Sequence, residues 1–177
     1  MVDDIVDYNL ICRSCINKIF CKPNTTIVNG KGDMIASNAF ILPFAGYRES
    51  KYQEIIDIIA EQYENHTAMN VFDTGYFVYP IKCFALSDYQ TNHITIKNCF
   101  QHTVALIHRL NFANIFVFGH MNAYFKMNIG QDKLYSVNDR IVRVFANYSP
   151  LVKITDNSKY EMFKSTFANH LKLANII

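Results

Sequence analysis

Ala113-Asn114-Ile115-Phe116-Val117-Phe118-Gly119 decides the fold class. Four consecutive apolar side chains without polar alternation, closed by glycine, read as a strand buried on both faces. Downstream, Gly119 to Phe125 opens a helix. Arg140 to Ala146 is a further strand, which runs into Asn147-Tyr148-Ser149-Pro150. Asn157 to Leu173 is an amphipathic helix with Met162, Phe163, Phe167 and Leu171 on one side. Upstream, Ile96 to Leu110 is helical, with Val104, Ala105, Ile107 and Leu110 facing inward. Gly75 to Ile81 alternates aromatic and aliphatic residues as a buried strand that ends near Pro80. In Tyr52 to Tyr63 the residues Ile55, Ile56, Ile58, Ile59 and Ala60 fall at helical spacing. Met34 to Phe44 reads as irregular. Thr25 to Val28 is a short β-prone run stopped by the glycine-rich loop Asn29-Gly30-Lys31-Gly32-Asp33.

Strands alternating with helices predict a three-layer α/β/α sandwich with a mainly parallel central sheet. Residues 1–177 form one domain, with the cysteine-bearing segment 1–24 packed on it. Ligands of such sheets gather at the carboxyl ends of the strands. That expectation puts Asn29–Asp33, the region after Ile81 and Asn147–Pro150 on one rim.

Half of the 177 residues are hydrophobic and 18% are charged, which excludes a disordered chain. Seventeen basic residues against fifteen acidic ones leave +2, so any nucleic-acid surface is local rather than global. Six glycines and four prolines exclude collagen-like and proline-rich classes. Abundant Ile, Asn, Lys, Tyr and Phe point to an A+T-rich coding genome, viral or otherwise. The start Met1-Val2-Asp3-Asp4 is acidic where a signal peptide carries positive charge. No apolar run approaches the ~20 residues that span a bilayer. The expectation is a soluble intracellular protein of cytoplasm or nucleus, with no membrane partner.

Five cysteines lie at Cys12, Cys15, Cys21, Cys83 and Cys99. In a reducing compartment this spread points to metal before disulfides. Cys12-x-x-Cys15 brings two thiolates to one centre, and Cys83 and Cys99 bracket an excursion that folds back on it. Four thiolates suit either tetrahedral zinc or a cubane iron–sulfur cluster, and spacing does not choose between them. The plainer alternative is a set of buried hydrophobic thiols.

The motifs, taken in order, resemble the uracil-DNA glycosylase superfamily, specifically its iron–sulfur branch, family four. Cys12-Arg13-Ser14-Cys15 is similar to that branch's N-terminal CxxC. Ile27-Val28-Asn29-Gly30-Lys31-Gly32-Asp33 stands where the branch has a strand running into GEAPG, and Pro43-Phe44-Ala45-Gly46 resembles its PFVG. Tyr79-Pro80-Ile81-Lys82-Cys83 corresponds to N-x-x-K-C. Ile115–Gly119 resembles the strand ending in glycine, and Tyr148-Ser149-Pro150 stands at Y-H-P. The resemblance implies a structural 4Fe–4S cluster on Cys12, Cys15, Cys83 and Cys99, with zinc as the alternative and Cys21 left over.

It also implies a base pocket, and here the sequence departs from the family. Phe44 keeps the aromatic platform on which a flipped base stacks. Tyr79 stands in place of the Asn that reads the base, and a single hydroxyl cannot make the paired amide contact. Gly30 or Lys31 replaces the carboxylate that serves water, and Ser149 replaces the His that stabilises the departing base. Asn29, Asp33 and Ser149 remain as catalytic candidates. For Asn29 and Asp33 the plainer role is to cap a strand-to-helix turn. The amides of Gly30, Lys31 and Gly32, with the side chains of Lys31, Lys82, Arg48 and Lys153, are candidate phosphate contacts; scattered surface cations are the alternative. His102 and His108 are six apart and do not share a helix face as i, i+4 ligands do, and His120 follows a strand end.

The expectation is a catalytically degenerate glycosylase-like protein that binds DNA as a replication or transcription accessory subunit, with polymerase or similar proteins as partners. An active glycosylase for uracil or another base, and a pure protein-interaction subunit, are the alternatives.

Overall fold

A computed structural model describes residues 30–45, 49–82 and 93–177. Six strands form one sheet in the order β1-β3-β2-β4-β6-β5: β1 Gly30–Gly32, β2 Asn38–Ile41, β3 Gly75–Val78, β4 Asn114–Phe118, β5 Asp132–Val137 and β6 Arg140–Asn147. The four central strands are parallel, while β1 and β5 are antiparallel edges. The helices are α1 Glu49–Thr67, α2 Val71–Thr74, α3 His93–Arg109, α4 Val152–Thr155 and α5 Asn157–Leu173. A 3₁₀ helix at Gly119–Phe125 follows β4. The expected α/β class with a mostly parallel sheet is what forms.

Helices cover both faces, and the two faces differ in chemistry. On one, Phe77, Phe40, Phe116 and Phe145 occupy a single row across β3, β2, β4 and β6, since Phe40 is in register with Phe77 and Phe116, and Phe116 with Phe145. Neighbouring rings stack at centroid distances of 5.1, 5.2 and 5.0 Å. Tyr52, Ile55, Ile56 and Ile59 of α1 and Phe163, Phe167 and Leu171 of α5 bury this face. Phe167 meets Phe116 edge-on at 5.6 Å. The other face presents Ala39, Ile41, Val78, Ile115, Val117 and Val144, and α3 covers it through Ile96, Cys99, Leu106 and Ile107.

Several sequence expectations need correction. Residues 34–44 are not irregular: Asn38–Ile41 is the central strand β2, with all four residues buried. Its short apolar run, Ala39-Phe40-Ile41, carries no period because both faces are covered. Gly30–Gly32 is not a loop but the edge strand β1, paired antiparallel with β3. β1 lies so close to β3 that a Cβ on Gly30 would collide with the Phe77 carbonyl oxygen. The run 25–28 lies outside the described residues. β5 was not expected, although the Asn138-Asp139 turn that joins it to β6 marks it. Both turn residues have positive φ, 48° and 61°, as a two-residue hairpin of this hand requires. Val104 is 37% exposed rather than inward, and the buried side of α3 runs instead through Cys99, His102, Thr103, Leu106 and Ile107. Met162 is exposed while Phe163, Phe167 and Leu171 are buried. The bounds of α5 match the expectation, and Asp156 caps it by accepting from Lys159 N at 3.0 Å. Among the described residues no helix is long and apolar enough to cross a membrane.

Candidate functional site

Chain direction reverses its progress across the sheet between β2 and β4. From β2 the path leads to β3 on one side; the later strands β4 and β6 lie on the other. The crevice at the carboxyl ends of β2 and β4 is therefore the topological switch point, where open α/β sheets bind ligands. Three segments meet there: Leu42-Pro43-Phe44 after β2, Gly119 after β4, and Tyr148-Ser149-Pro150 after β6. Gly119 has φ +62°, and a Cβ on it would stand 3.0 Å from Ser149 Cβ and 3.3 Å from Pro43 Cβ. Glycine is required twice over, by the left-handed backbone and by the close approach. Phe44 is half-buried against the aliphatic-face core, and Ser149 is half-buried. His120 is exposed beside Gly119.

A buried polar chain supports this rim. Asn122 Nδ2 donates to the Asn147 carbonyl at 2.8 Å, and Asn147 Oδ1 lies 2.8 Å from His170 Nδ1 on α5. His170 Nε2 lies 3.4 Å from the Gly130 carbonyl. Burial holds the His170 pKa below the usual imidazole range; Arg143 adds to that effect, while the Gly130 carbonyl and Asp132 oppose it. Through Asn147 the chain joins the end of β6 to Asn122 of the 3₁₀ helix and to His170 of α5. Asn147 lies on the expected rim segment 147–150; Asn122 and His170 went unnoticed in the sequence because neither belongs to a recognisable motif.

The other site expectations scatter. Asp33 sits at the opposite end of the sheet: β1 runs antiparallel to β3, Asp33 N donates to the Gly75 carbonyl, and Asp33 Oδ1 accepts from Ile35 N at 2.9 Å. It is a turn cap at the amino ends of the parallel strands, remote from Ser149 by strand direction. Asn29 lies outside the described residues. Tyr79 does not share a pocket with Phe44. It is 1% exposed and packs on Tyr52 of α1 at 5.1 Å, on the aromatic face, while Phe44 belongs to the aliphatic one. Among the described residues Ser149 Oγ makes no hydrogen bond.

The basic candidates fare unevenly as phosphate contacts. Lys82 is 2% exposed, with Nζ donating to the Tyr79 carbonyl, so it is not a surface cation. Lys31 is exposed on the edge strand, and its Nζ donates to Gln53 Oε1 at 3.0 Å above the Phe72 ring. Lys153 is exposed but paired with Glu61 at 3.0 Å, and this hydrogen bond raises its pKa. Gly30 and Gly32 contribute their backbone to the β1–β3 ladder. Arg48 lies outside the described residues.

Of the four cysteines, Cys12, Cys15 and Cys83 lie outside the described residues, and Cys99 is buried on α3 without a disulfide. Among the described residues no group of three or more His, Cys, Asp or Glu is placed to hold a metal. Burial pushes the Lys82 ammonium down to about 7, with Cys99 opposing that shift. His102, also buried, is lowered to about 4, first by burial and then by the Lys82 charge. Position 82 and Cys99 are thus electrostatic neighbours.

A comparison with protein families finds none that the chain matches, and a search of curated proteins finds no significant relative.

Proposed function

We propose that the chain is a non-cleaving protein of the uracil-DNA glycosylase type, serving as a nucleic-acid-binding accessory subunit with a structural iron–sulfur cluster. The observation that carries the reading is the convergence of Pro43, Gly119 and Ser149 at the switch point. These three positions belong to separate motifs in the sequence, and the glycosylase resemblance puts Phe44, next to Pro43, and Ser149 in one base pocket. Among the described residues, the groups that meet there include neither a carboxylate nor a histidine bonded to Ser149. Asp33, the one described carboxylate candidate, lies at the other end of the sheet. Phe44, half-buried at the rim, is the residue that the resemblance assigns to base stacking, which is sequence-tolerant and worth ~1–3 kcal/mol per base.

Cys12, Cys15, Cys83 and Cys99 would hold the cluster, which supplies a rigid tie between distant segments of chain. Polymerase and other replication or transcription proteins are the partner class this reading favours.

Binding of this kind has a distinctive salt response. Among the described candidate contacts, Lys82 is buried, Lys153 pairs with Glu61 and Lys31 bonds Gln53, so a weak salt response is expected. Fluorescence anisotropy with a labelled single-stranded oligonucleotide is expected to give a log–log salt slope of about −1 to −2. Loss of binding in Phe44→Ala at an unchanged slope is the second expected result. A slope steeper than about −5, or affinity unchanged in Phe44→Ala, would contradict stacking at this rim. The engaged lysines also favour a second reading, a pure protein-interaction subunit, for which no salt-dependent oligonucleotide affinity is expected at all.

A further inference from the structure

A second concavity lies away from the switch point, on the aliphatic face at the β5–β6 end of the sheet. It is a cleft of about 520 Å³, within the range of ~300–1,000 Å³ typical of small-ligand sites. Phe100, Val104 and Ile107 of α3 form one wall, Tyr124 of the 3₁₀ helix a second, and Tyr135 and Val142 of the hairpin a third. The walls are tied across the opening at both ends. At one end Tyr135 Oη donates to the Phe125 carbonyl at 2.7 Å and Lys133 Nζ to the Lys126 carbonyl at 2.8 Å. At the other, Asn138 Nδ2 donates to the His108 carbonyl at 2.7 Å, and Asn138 Oδ1 lies 3.1 Å from His108 Nδ1. Phe100 packs on Tyr124 at 4.9 Å and edge-on to Phe125 at 5.4 Å. These ties hold the hairpin off α3, so the cleft stays open instead of collapsing onto its own apolar walls.

Its charge is one-sided. Lys126 and Lys133 stand together at one end, and no acid lines the cleft among the described residues. Strand alternation turns Asp132 to the opposite face of β5, where Arg143 Nε donates to it at 2.7 Å. The cleft thus combines an apolar trough with a cationic end. We propose that it binds an apolar monocarboxylate, with the carboxylate at Lys126 and Lys133 and the hydrocarbon along Phe100, Val104 and Ile107. This site is independent of the rim and of any nucleic-acid role.

The test is isothermal titration of the full chain with sodium dodecanoate below its micelle concentration, beside dodecyltrimethylammonium as the cationic counterpart. One equivalent of dodecanoate is expected to bind, with the ammonium about tenfold weaker or silent. A Lys126→Ala/Lys133→Ala double variant, which also removes the Lys133 tie to the Lys126 carbonyl, is expected to lose roughly three- to tenfold in affinity, and Lys126→Ala alone, which keeps that tie, about two- to threefold. Val104→Trp, which places an indole in the trough, is expected to abolish binding. Leu134→Trp serves as the control: Leu134 is 66% exposed on the other face of β5, and affinity is expected to be unchanged. The proposal is overturned by absence of dodecanoate binding, by equal affinity for the two surfactants, by several equivalents bound, or by full affinity in the lysine double variant. Equal loss in Leu134→Trp and Val104→Trp would also overturn it.

Discussion

The two faces of the sheet are built from the same four parallel strands, yet one presents a row of phenylalanines and the other valine, isoleucine and alanine. The phenylalanine row is covered by two long helices, α1 and α5, whose aromatic and branched side chains meet it. Among the described residues the aliphatic row is covered by α3 and the short 3₁₀ helix. This face carries both the 520 Å³ cleft and the buried Lys82, Cys99 and His102. Stability therefore concentrates on one face and candidate binding chemistry on the other, with the switch-point rim where the two faces end.

The sharpest way to break that contrast is to cut the phenylalanine row at its centre. Phe116 stacks on Phe40 and Phe145 and is fully buried. Phe116→Ala is expected to cost about 3–5 kcal/mol in urea unfolding. A cost below about 1 kcal/mol would show that the row is not the stable half. At the rim, Gly119→Ala adds a Cβ within 3.0 Å of Ser149 Cβ at a positive φ, and a loss of about 1–3 kcal/mol is expected from the same unfolding curves.

A smaller effect tests the buried polar chain under the rim. His170 is 1% exposed, and its pKa is held down in the folded protein. The unfolded chain therefore takes up a proton first as pH falls. The His170 contribution is fully present above about pH 6.5, and is lost progressively as pH drops from there through the lower folded value. Thermal melts from pH 7.5 to 5 are expected to fall in Tm, with a shallower fall in His170→Gln. Identical pH slopes in the two proteins would remove the histidine from the account. The smallest effect belongs to the open face. Val104→Ala removes a side chain already 37% exposed and improves helix propensity, so the change is expected to stay within about 0.5 kcal/mol. A loss as large as that of Phe116→Ala would erase the difference between the faces.

The chain's own patterning revealed elements unevenly, and the reasons are physical. β4 and α5 were legible because each shows one unambiguous signal: an unbroken apolar run in Ile115–Phe118, and apolar residues at helical spacing behind the Asp156 cap. β2 was hidden because a strand of four residues buried on both sides has no period. β1 looked like a loop because its glycines, Gly30 and Gly32, mark close backbone approach to β3 as readily as a turn. At the rim, the motif order placed Phe44 and Ser149 in one pocket, and the segments that carry them meet at Gly119. It failed for Asp33 and Tyr79, whose placement depends on the direction of an edge strand and on which side of the sheet a residue following β3 is buried. Lys82 was read as a surface cation because composition carries no information on the burial of a single lysine.

The central claim, a glycosylase-type scaffold without its cleavage chemistry, is tested most directly by incubating the purified chain with a uracil-containing single-stranded oligonucleotide. Hot alkali then cleaves any abasic sites, and the products are resolved on a denaturing gel. The account predicts a full-length strand at every enzyme-to-substrate ratio; a uracil-dependent cleavage band that grows with protein concentration would contradict it.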